Sequence, residues 1–225
     1  MRGTKPTVAL ALALLAAGAA SAQAADSRAV HIPGVSKAAF WTNAPLAWEA
    51  SPTGMVVVAG PKTDKYNSPD ESNVSDTAPR LLFDADRDFI FSAGVGHAFA
   101  SVWDSGGLIV EADRAHWFKL NFERDYTGAR RIVSVVTRDY SDDSNAMELD
   151  ADVAFLEVAK RDDAFYLFVS KDGAGWYLLR AFNMKTQGPL KVGLIAQSPS
   201  GDRARITFTD IRYSATRIND IWKGK

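Results

Sequence analysis

From Met55 onward, apolar and polar residues fall into short runs with strand periodicity. Met55-Val-Val-Val-Ala59 is rich in β-branched side chains and lies between Gly54 and Gly60-Pro61. Phe89 to Val95, Gly107 to Ala112, Trp117 to Glu123 and Arg131 to Thr137 follow at roughly even spacing. Then come Phe155 to Lys160, Phe165 to Ser170, Trp176 to Phe182, Leu190 to Gln197 and Ala204 to Arg212. Asp125-Tyr-Thr-Gly128, Lys171-Asp-Gly-Ala-Gly175, Gly188-Pro189 and Ser198-Pro-Ser-Gly201 separate them with turn chemistry. The alternation is clear around Leu120: Phe118, Leu120 and Phe122 share one strand face, and Trp117, Lys119, Asn121 and Glu123 share the other. No stretch of useful length has helical periodicity. The spacing predicts an all-β, two-sheet antiparallel sandwich or jelly roll. Two polar stretches, Pro61 to Arg80 and Asp139 to Asp152, read as irregular loops, and loops of that length in a compact domain are often functional.

The N-terminus changes the picture of where the chain acts. Arg2 and Lys5 precede an apolar run from Val8 to Ala20, and Ser21-Ala22-Gln23-Ala24 ends in an A-x-A pattern. The run is shorter than the about 20 residues a membrane span needs. Residues 1–24 therefore read as a cleavable signal peptide, 25–37 as a polar lead-in, 38–215 as a single sandwich domain and 216–225 as a C-terminal tail. A secreted or periplasmic product without a membrane anchor is expected. The signal carries two of the 26 basic residues and none of the 27 acidic ones, leaving a net charge of -3. So even a balance gives no electrostatic footprint for nucleic acid. The absence of cysteine removes thiolate chemistry and disulfides, so the apolar core must carry the fold.

Metal and hydrolase motifs are mostly missing. His31, His97 and His116 have no ligand spacing, and no G-x-S-x-G elbow occurs. Asp84-Ala-Asp86-Arg-Asp88 begins like a calcium loop, but Phe89 and Val95 stand where Gly and Glu are needed. Glu148-Leu-Asp150-Ala-Asp152 would put three carboxylates on one face if it were a strand, yet a solvated acidic loop is the simpler reading. Asp139, Asp142, Asp143 and Glu148 form a weak candidate set for Ca2+, and otherwise no cofactor is expected. Charged Asp104, Lys119, Glu123 and Arg180 lie in or beside apolar strands, near Trp103, Trp117 and Trp176. Rings that stack on sugar C–H faces, beside charges that take hydroxyls, would make a glycan-binding surface. Patterning equally admits ordinary exposed strand positions with the tryptophans in the core.

Several of these segments occur in a familiar order. They are Asp104-Ser-Gly-Gly107-Leu108, Trp117-Phe-Lys119-Leu-Asn-Phe-Glu123, Ser134-Val-Val-Thr137 and Tyr140-Ser-Asp142, then Ser170-Lys-Asp172-Gly173 with Trp176 and Arg180, and Gly193 to Pro199. Upstream, Phe40-Trp41-Thr-Asn43-Ala-Pro45 and Thr63-Asp64 fit as well. From Phe40 to Tyr213 the chain resembles the YesU-like family (DUF1349), which includes proteins labelled regulation of enolase protein. The resemblance implies a concanavalin A-like lectin/glucanase fold and no established activity. It implies recurrent polar positions at Asp104, Lys119, Glu123, Asp172 and Arg180. The chain departs from the family at Ser141-Asp142-Asp143-Ser144, where Ser-Asp-Trp-Ser is common, and at Thr63-Asp64-Lys65-Tyr66, where Thr-Asp-Phe-Trp is common.

Three functions follow as expectations. One is a carbohydrate-binding accessory domain whose concave face holds a glycan through Trp103, Asp104, Trp117, Lys119, Glu123, Trp176 and Arg180. A second is a glycosidase- or lyase-like enzyme using Glu123 and Asp104. The third is a structural or interaction module in which these polar groups only stabilise the sandwich.

Overall fold

A computed structural model of the chain describes residues 28–98 and 100–225; the segment read as a signal peptide lies outside the described residues. Seventeen strands are found there: β1 Val30–His31, β2 Ala38–Thr42, β3 Ala47–Ser51, β4 Gly54–Ala59, β5 Lys65–Asn67, β6 Val74–Asp76, β7 Arg80–Asp84, β8 Phe89–His97 and β9 Ser105–Glu111. The chain continues through β10 His116–Arg124, β11 Arg130–Arg138, β12 Tyr140–Glu148, β13 Val153–Arg161, β14 Ala164–Ser170, β15 Tyr177–Asn183, β16 Lys191–Gln197 and β17 Ala204–Ser214. An eight-stranded sheet runs β1-β2-β7-β16-β9-β10-β11-β12, and a seven-stranded sheet runs β15-β14-β13-β8-β17-β4-β3. Neighbouring strands are antiparallel, so the expected two-sheet sandwich is the observed architecture.

The period-two pattern decides what each sheet buries. Phe118, Leu120 and Phe122 of β10 enter the main core with Leu108, Ile132, Leu156, Phe165 and Phe208. Phe118 meets Phe165 edge-on with ring centroids 4.8 Å apart and Phe182 at 5.0 Å. Each fully buried aliphatic or aromatic side chain contributes about 1.5–3 kcal/mol through removal from water. Gly107 is demanded by the close packing of β9 on β10: a Cβ there would lie 2.1 Å from the Leu120 carbonyl oxygen and 2.4 Å from Asn121 Oδ1.

Both stretches read as irregular contain strand. Within Pro61 to Arg80, β5 and β6 form a hairpin with Lys65 opposite Asp76. Between 139 and 152, β12 forms the edge of the larger sheet against β11. Its acidic composition suits an edge, where charge discourages pairing with another chain. The strand ends at Glu148, and residues 149–152 leave the sheet, so Glu148, Asp150 and Asp152 do not share a strand face.

The β5–β6 hairpin lies over the outer face of the eight-stranded sheet, and sequence-distant contacts hold it there. Thr63 bridges to Ser198, and the Asn67 amide donates to Ser141 Oγ at 3.1 Å. Beneath it, Lys65 Nζ pairs with Asp76 at 2.9 Å and Arg80 Nε with Glu111 at 2.8 Å. Arg80 also reaches Asp76 at 2.9 Å. On the opposite side of the molecule, Ile218 and Ile221 from the chain's last ten residues pack on Ala159, Tyr166 and Phe168 of the seven-stranded sheet.

Replacing Phe118 with alanine removes a ring that joins three strands of the core and should destabilise the fold by about 3–5 kcal/mol. Urea unfolding is expected to show a lower midpoint with an unchanged slope. A loss below 1 kcal/mol would contradict this placement of the core.

Candidate functional site

The outer-face residues of β10 lead directly to a cavity. Lys119 and Glu123 lie two positions apart in the alternation, with Val135 and Arg131 opposite them on β11. They form part of a groove of about 670 Å³ together with Val133, Val135, Asp143, Asn145 and Gln197 from the sheet. The hairpin side adds Lys62, Asp64, Tyr66, Asn73 and Ser75, and two loops add Trp103, Asp125, Tyr126 and Pro199. Trp103 and Tyr126 are exposed rings at 47% and 69%. Trp103 has φ 65°, a left-handed conformation that bulky residues seldom adopt. Its amide donates to the Arg124 carbonyl at 2.6 Å, which fixes the loop backbone that carries the ring beside the groove. Strain of this kind gathers at functional sites.

Lys119 is 3% exposed and fully engaged. Its Nζ donates to the Lys65 carbonyl at 2.7 Å and to Gln197 Oε1 at 3.0 Å, and Asp64 Oδ1 lies 3.5 Å away. Glu123, 8% exposed, is different: no hydrogen bond to its carboxyl is found among the described residues. Burial pushes its pKa up to about 8; Lys119 opposes the shift, while Asp64, Asp143 and Asp125 reinforce it. Asp143 is also raised by burial, against a hydrogen bond from Tyr66 and the charge of Lys119. Tyr66 in turn is raised to about 12 by burial and by Asp143. Asp125 goes the other way, to about 2, because hydrogen bonds from Thr127 and Arg131 outweigh its burial. The groove therefore holds neutral and charged acids side by side.

The other candidate residues are placed elsewhere. Asp104 does not line the groove: its carboxylate accepts from Ser198 Oγ at 2.7 Å and from the Ser101 amide at 2.9 Å, so it closes a loop. Trp117 is fully buried beneath the hairpin, with Lys65 Nζ 4.9 Å from its ring centroid. Trp176 precedes β15 on the opposite sheet. Arg180 joins the two sheets at their edge, reaching Asp142 at 3.0 Å and Ser134 Oγ at 3.2 Å. Asp172 accepts the Ala174 and Gly175 amides and shapes a turn. The four acids considered for Ca2+ do not converge: Asp142 faces Arg180, Asp143 faces Tyr66, Glu148 pairs with Arg131 at 2.7 Å, and Asp139 lies ahead of β12. No group of three or more His, Cys, Asp or Glu suited to a metal is found among the described residues.

Asp64, Tyr66, Tyr126, Asn145 and Gln197 were not singled out by the sequence pattern. The signals for the first two were the length and polarity of Pro61 to Arg80 and the family resemblance at Thr63-Asp64-Lys65-Tyr66. The two stretches that depart from the family resemblance supply Tyr66 and Asp143, which both line the groove and shift each other's titration.

Fold and groove together define a two-sheet antiparallel β-sandwich that carries a polar, aromatic-rimmed cleft on one sheet face beneath a hairpin. More particularly, the chain belongs to the family described as "Protein of unknown function (DUF1349)", whose model matches residues 41–216. Regulation of enolase protein 1 of Saccharomyces cerevisiae is 25% identical over 176 residues, spanning 78% of this chain and 88% of that protein. The crystal structure of a functionally unknown protein from the same yeast superposes with a TM-score of 0.74 at 24% identity, covering 79% of this chain and 96% of the other. The xylan beta-1,4-xylosidase from Bacillus halodurans C-125 matches with a TM-score of 0.53 at 14% identity, over 76% of this chain and 38% of that one. A GH43 protein, BlXynB from Bacillus licheniformis, scores 0.51 at 14% identity, over 61% and 33%. These structural likenesses concern the fold, and those to the two Bacillus proteins span only 38% and 33% of their chains.

Glu123 binds an extra proton in the folded state between its ordinary pKa of 4.5 and about 8. The stability associated with it is complete below pH 4.5 and is lost as pH rises through about 8. Glu123→Gln removes that dependence. The variant should melt several degrees above the parent at pH 8.5 and within roughly 2 °C of it at pH 5, read by calorimetry. Equal melting temperatures at both pH values would contradict the buried, unpaired state of this carboxyl.

Proposed function

We propose that the protein is a carbohydrate-binding accessory domain acting outside the cytoplasm, and that it holds a glycan in the groove beneath the β5–β6 hairpin. The observation that carries this reading is the meeting of three rings, Trp103, Tyr126 and Tyr66, with Lys119, Glu123, Asp143, Asn145 and Gln197 in one cleft. Aromatic faces present flat apolar area to sugar C–H groups, while amides and carboxyls take hydroxyls in both directions. The volume falls within the range of about 300–1,000 Å³ typical of small-ligand sites. The xylosidase and GH43 names among the structural neighbours agree with a carbohydrate role, although fold alone never assigns one.

A hydrolase or lyase reading retains one specific observation, the elevated pKa of Glu123, which is what a general acid needs. Its nominated partner Asp104 is turned away, so a carboxylate at Asp143 would have to take that role. Turnover of a polymeric glycan that persists in Glu123→Gln would eliminate this second reading.

Thermal shift and array screening of the chain from Ala25 against neutral xylo-, gluco- and mannooligosaccharides tests binding. At least one series should raise the melting temperature, and Trp103→Ala should weaken that ligand on the order of tenfold or more through loss of one stacking ring. Indifference to every glycan, or of the bound glycan to Trp103→Ala, would refute the assignment. Export is tested by cell fractionation: the expected product lacks its first 24 residues and lies outside the cytoplasm, whereas a full-length cytoplasmic chain contradicts it.

A further inference from the structure

The outer face of the seven-stranded sheet carries a second cavity, on the opposite side of the molecule from the groove. It measures about 380 Å³ and is lined by Glu157, Trp176, Phe155, Asp210, Arg212 and Ser92 among others. Glu157 sits on the non-core face of β13, since Leu156 and Val158 on either side of it enter the main core. Strand register then places Ser92 beside Glu157 and Arg212 beside Ser92, in one row across β13, β8 and β17. Two strand spacings of about 4.8 Å separate the backbones carrying Glu157 and Arg212. No ion pair joins those side chains among the described residues, and Glu157 Oε1 has no hydrogen-bond partner although its residue is only 4% exposed.

A buried carboxyl without a donor destabilises the fold, and a methionine or isoleucine would serve packing better. Glu157 therefore lacks a hydrogen-bond donor that the fold does not supply. What surrounds it says which donor fits. Trp176 stands close by, because the same backbone point, Gly224, lies within 3.0 Å of Trp176 Cβ and 2.9 Å of Glu157 Oε1 when a Cβ is built on it. Asp210 adds negative charge at a strained position, φ 48°, in the β17 bulge, and Asp172 adds another acid at the rim. Arg212 is the one basic residue lining the cavity; Lys223 and Lys225 belong to the tail that passes over Glu157 at Gly224. An aromatic wall, an unpaired carboxyl and an acid excess together suit a cation that can also donate a hydrogen bond.

We propose that this cavity is a second ligand site, independent of the glycan groove, which takes the primary ammonium group of a small organic amine. The ammonium donates to the Glu157 carboxylate, and Trp176 packs on the adjoining methylene groups. Free, Glu157 is held protonated, its pKa pushed up to about 8 by burial alone. Bound to an ammonium it is a carboxylate, so each ligand that enters below pH 8 releases one proton from Glu157 to the buffer.

Isothermal titration calorimetry with n-butylammonium at pH 6.5, in two buffers of different ionisation enthalpy, tests this directly. The expected result is saturable binding, near one proton released per ligand, and affinity rising about tenfold per pH unit between pH 5.5 and 7.5. Tetramethylammonium, a cation without an N–H, should bind at least tenfold more weakly. Glucosamine, run in parallel, distinguishes an amino sugar from a simple alkylamine as the source of the ammonium. Glu157→Gln should abolish proton release, and Trp176→Leu should weaken binding while leaving the release intact. Absence of binding by both amines, binding without proton release, or unchanged binding in Glu157→Gln would overturn the proposal. Should Glu157→Gln fail to fold, the buffer dependence of the parent protein decides alone.

Discussion

The Lys119 ammonium is the point on which the site depends. It is a charge placed on a sheet face and then covered, and a buried ammonium persists only where its donors are taken up. Two of its contacts, the Lys65 carbonyl and Asp64, belong to the hairpin segment, and the third, Gln197, belongs to β16. One side chain thus ties a sequence-distant hairpin to the centre of the larger sheet. Lys65, turned the other way by the same hairpin, lies over the Trp117 ring and pairs with Asp76. The ion pairs of Arg80 with Glu111 and Asp76 complete a polar layer between hairpin and sheet.

The groove is what remains beyond that layer. Because Lys119 spends its hydrogen bonds on the hairpin and Gln197, Glu123, four residues along the same strand, feels its charge but receives no hydrogen bond among the described residues. Asp64, Asp125 and Asp143 surround it, and burial makes the protonated form the resting one. A carboxylic acid that both donates and accepts, flanked by amides and by rings on strained or exposed loops, is suited to neutral polar ligands. The seven-stranded sheet repeats the theme with Glu157, where burial acts without an opposing charge.

Much of the fold was legible because hydrophobic burial on a pleated strand imposes period two, and β10 shows it without interruption. Lys119 and Glu123 were legible for the same reason: charges at outward positions of an apolar strand need an explanation. The hairpin and β12 were not, since their stability comes from ion pairs and an edge position, which local sequence does not reveal. Trp117 and Trp176 illustrate the remaining gap. Sequence proximity grouped them with Lys119 and Arg180, whereas the turn before β15 and the hairpin above β10 put one on the opposite sheet and the other beneath a lid. Asp104 likewise needed its Ser198 partner, 94 residues away, to be recognised as a loop closure.

The central claim is that Lys119 holds the hairpin over the sheet and so creates the groove. Native-state hydrogen exchange of Lys119→Met measures this most directly. The account predicts that the core amides of β10 and β13 keep most of their protection, while those of 65–67 and 74–76 exchange at least about tenfold faster, a local opening rather than global unfolding. Hairpin amides that exchange at the parent rate in a folded variant would contradict it.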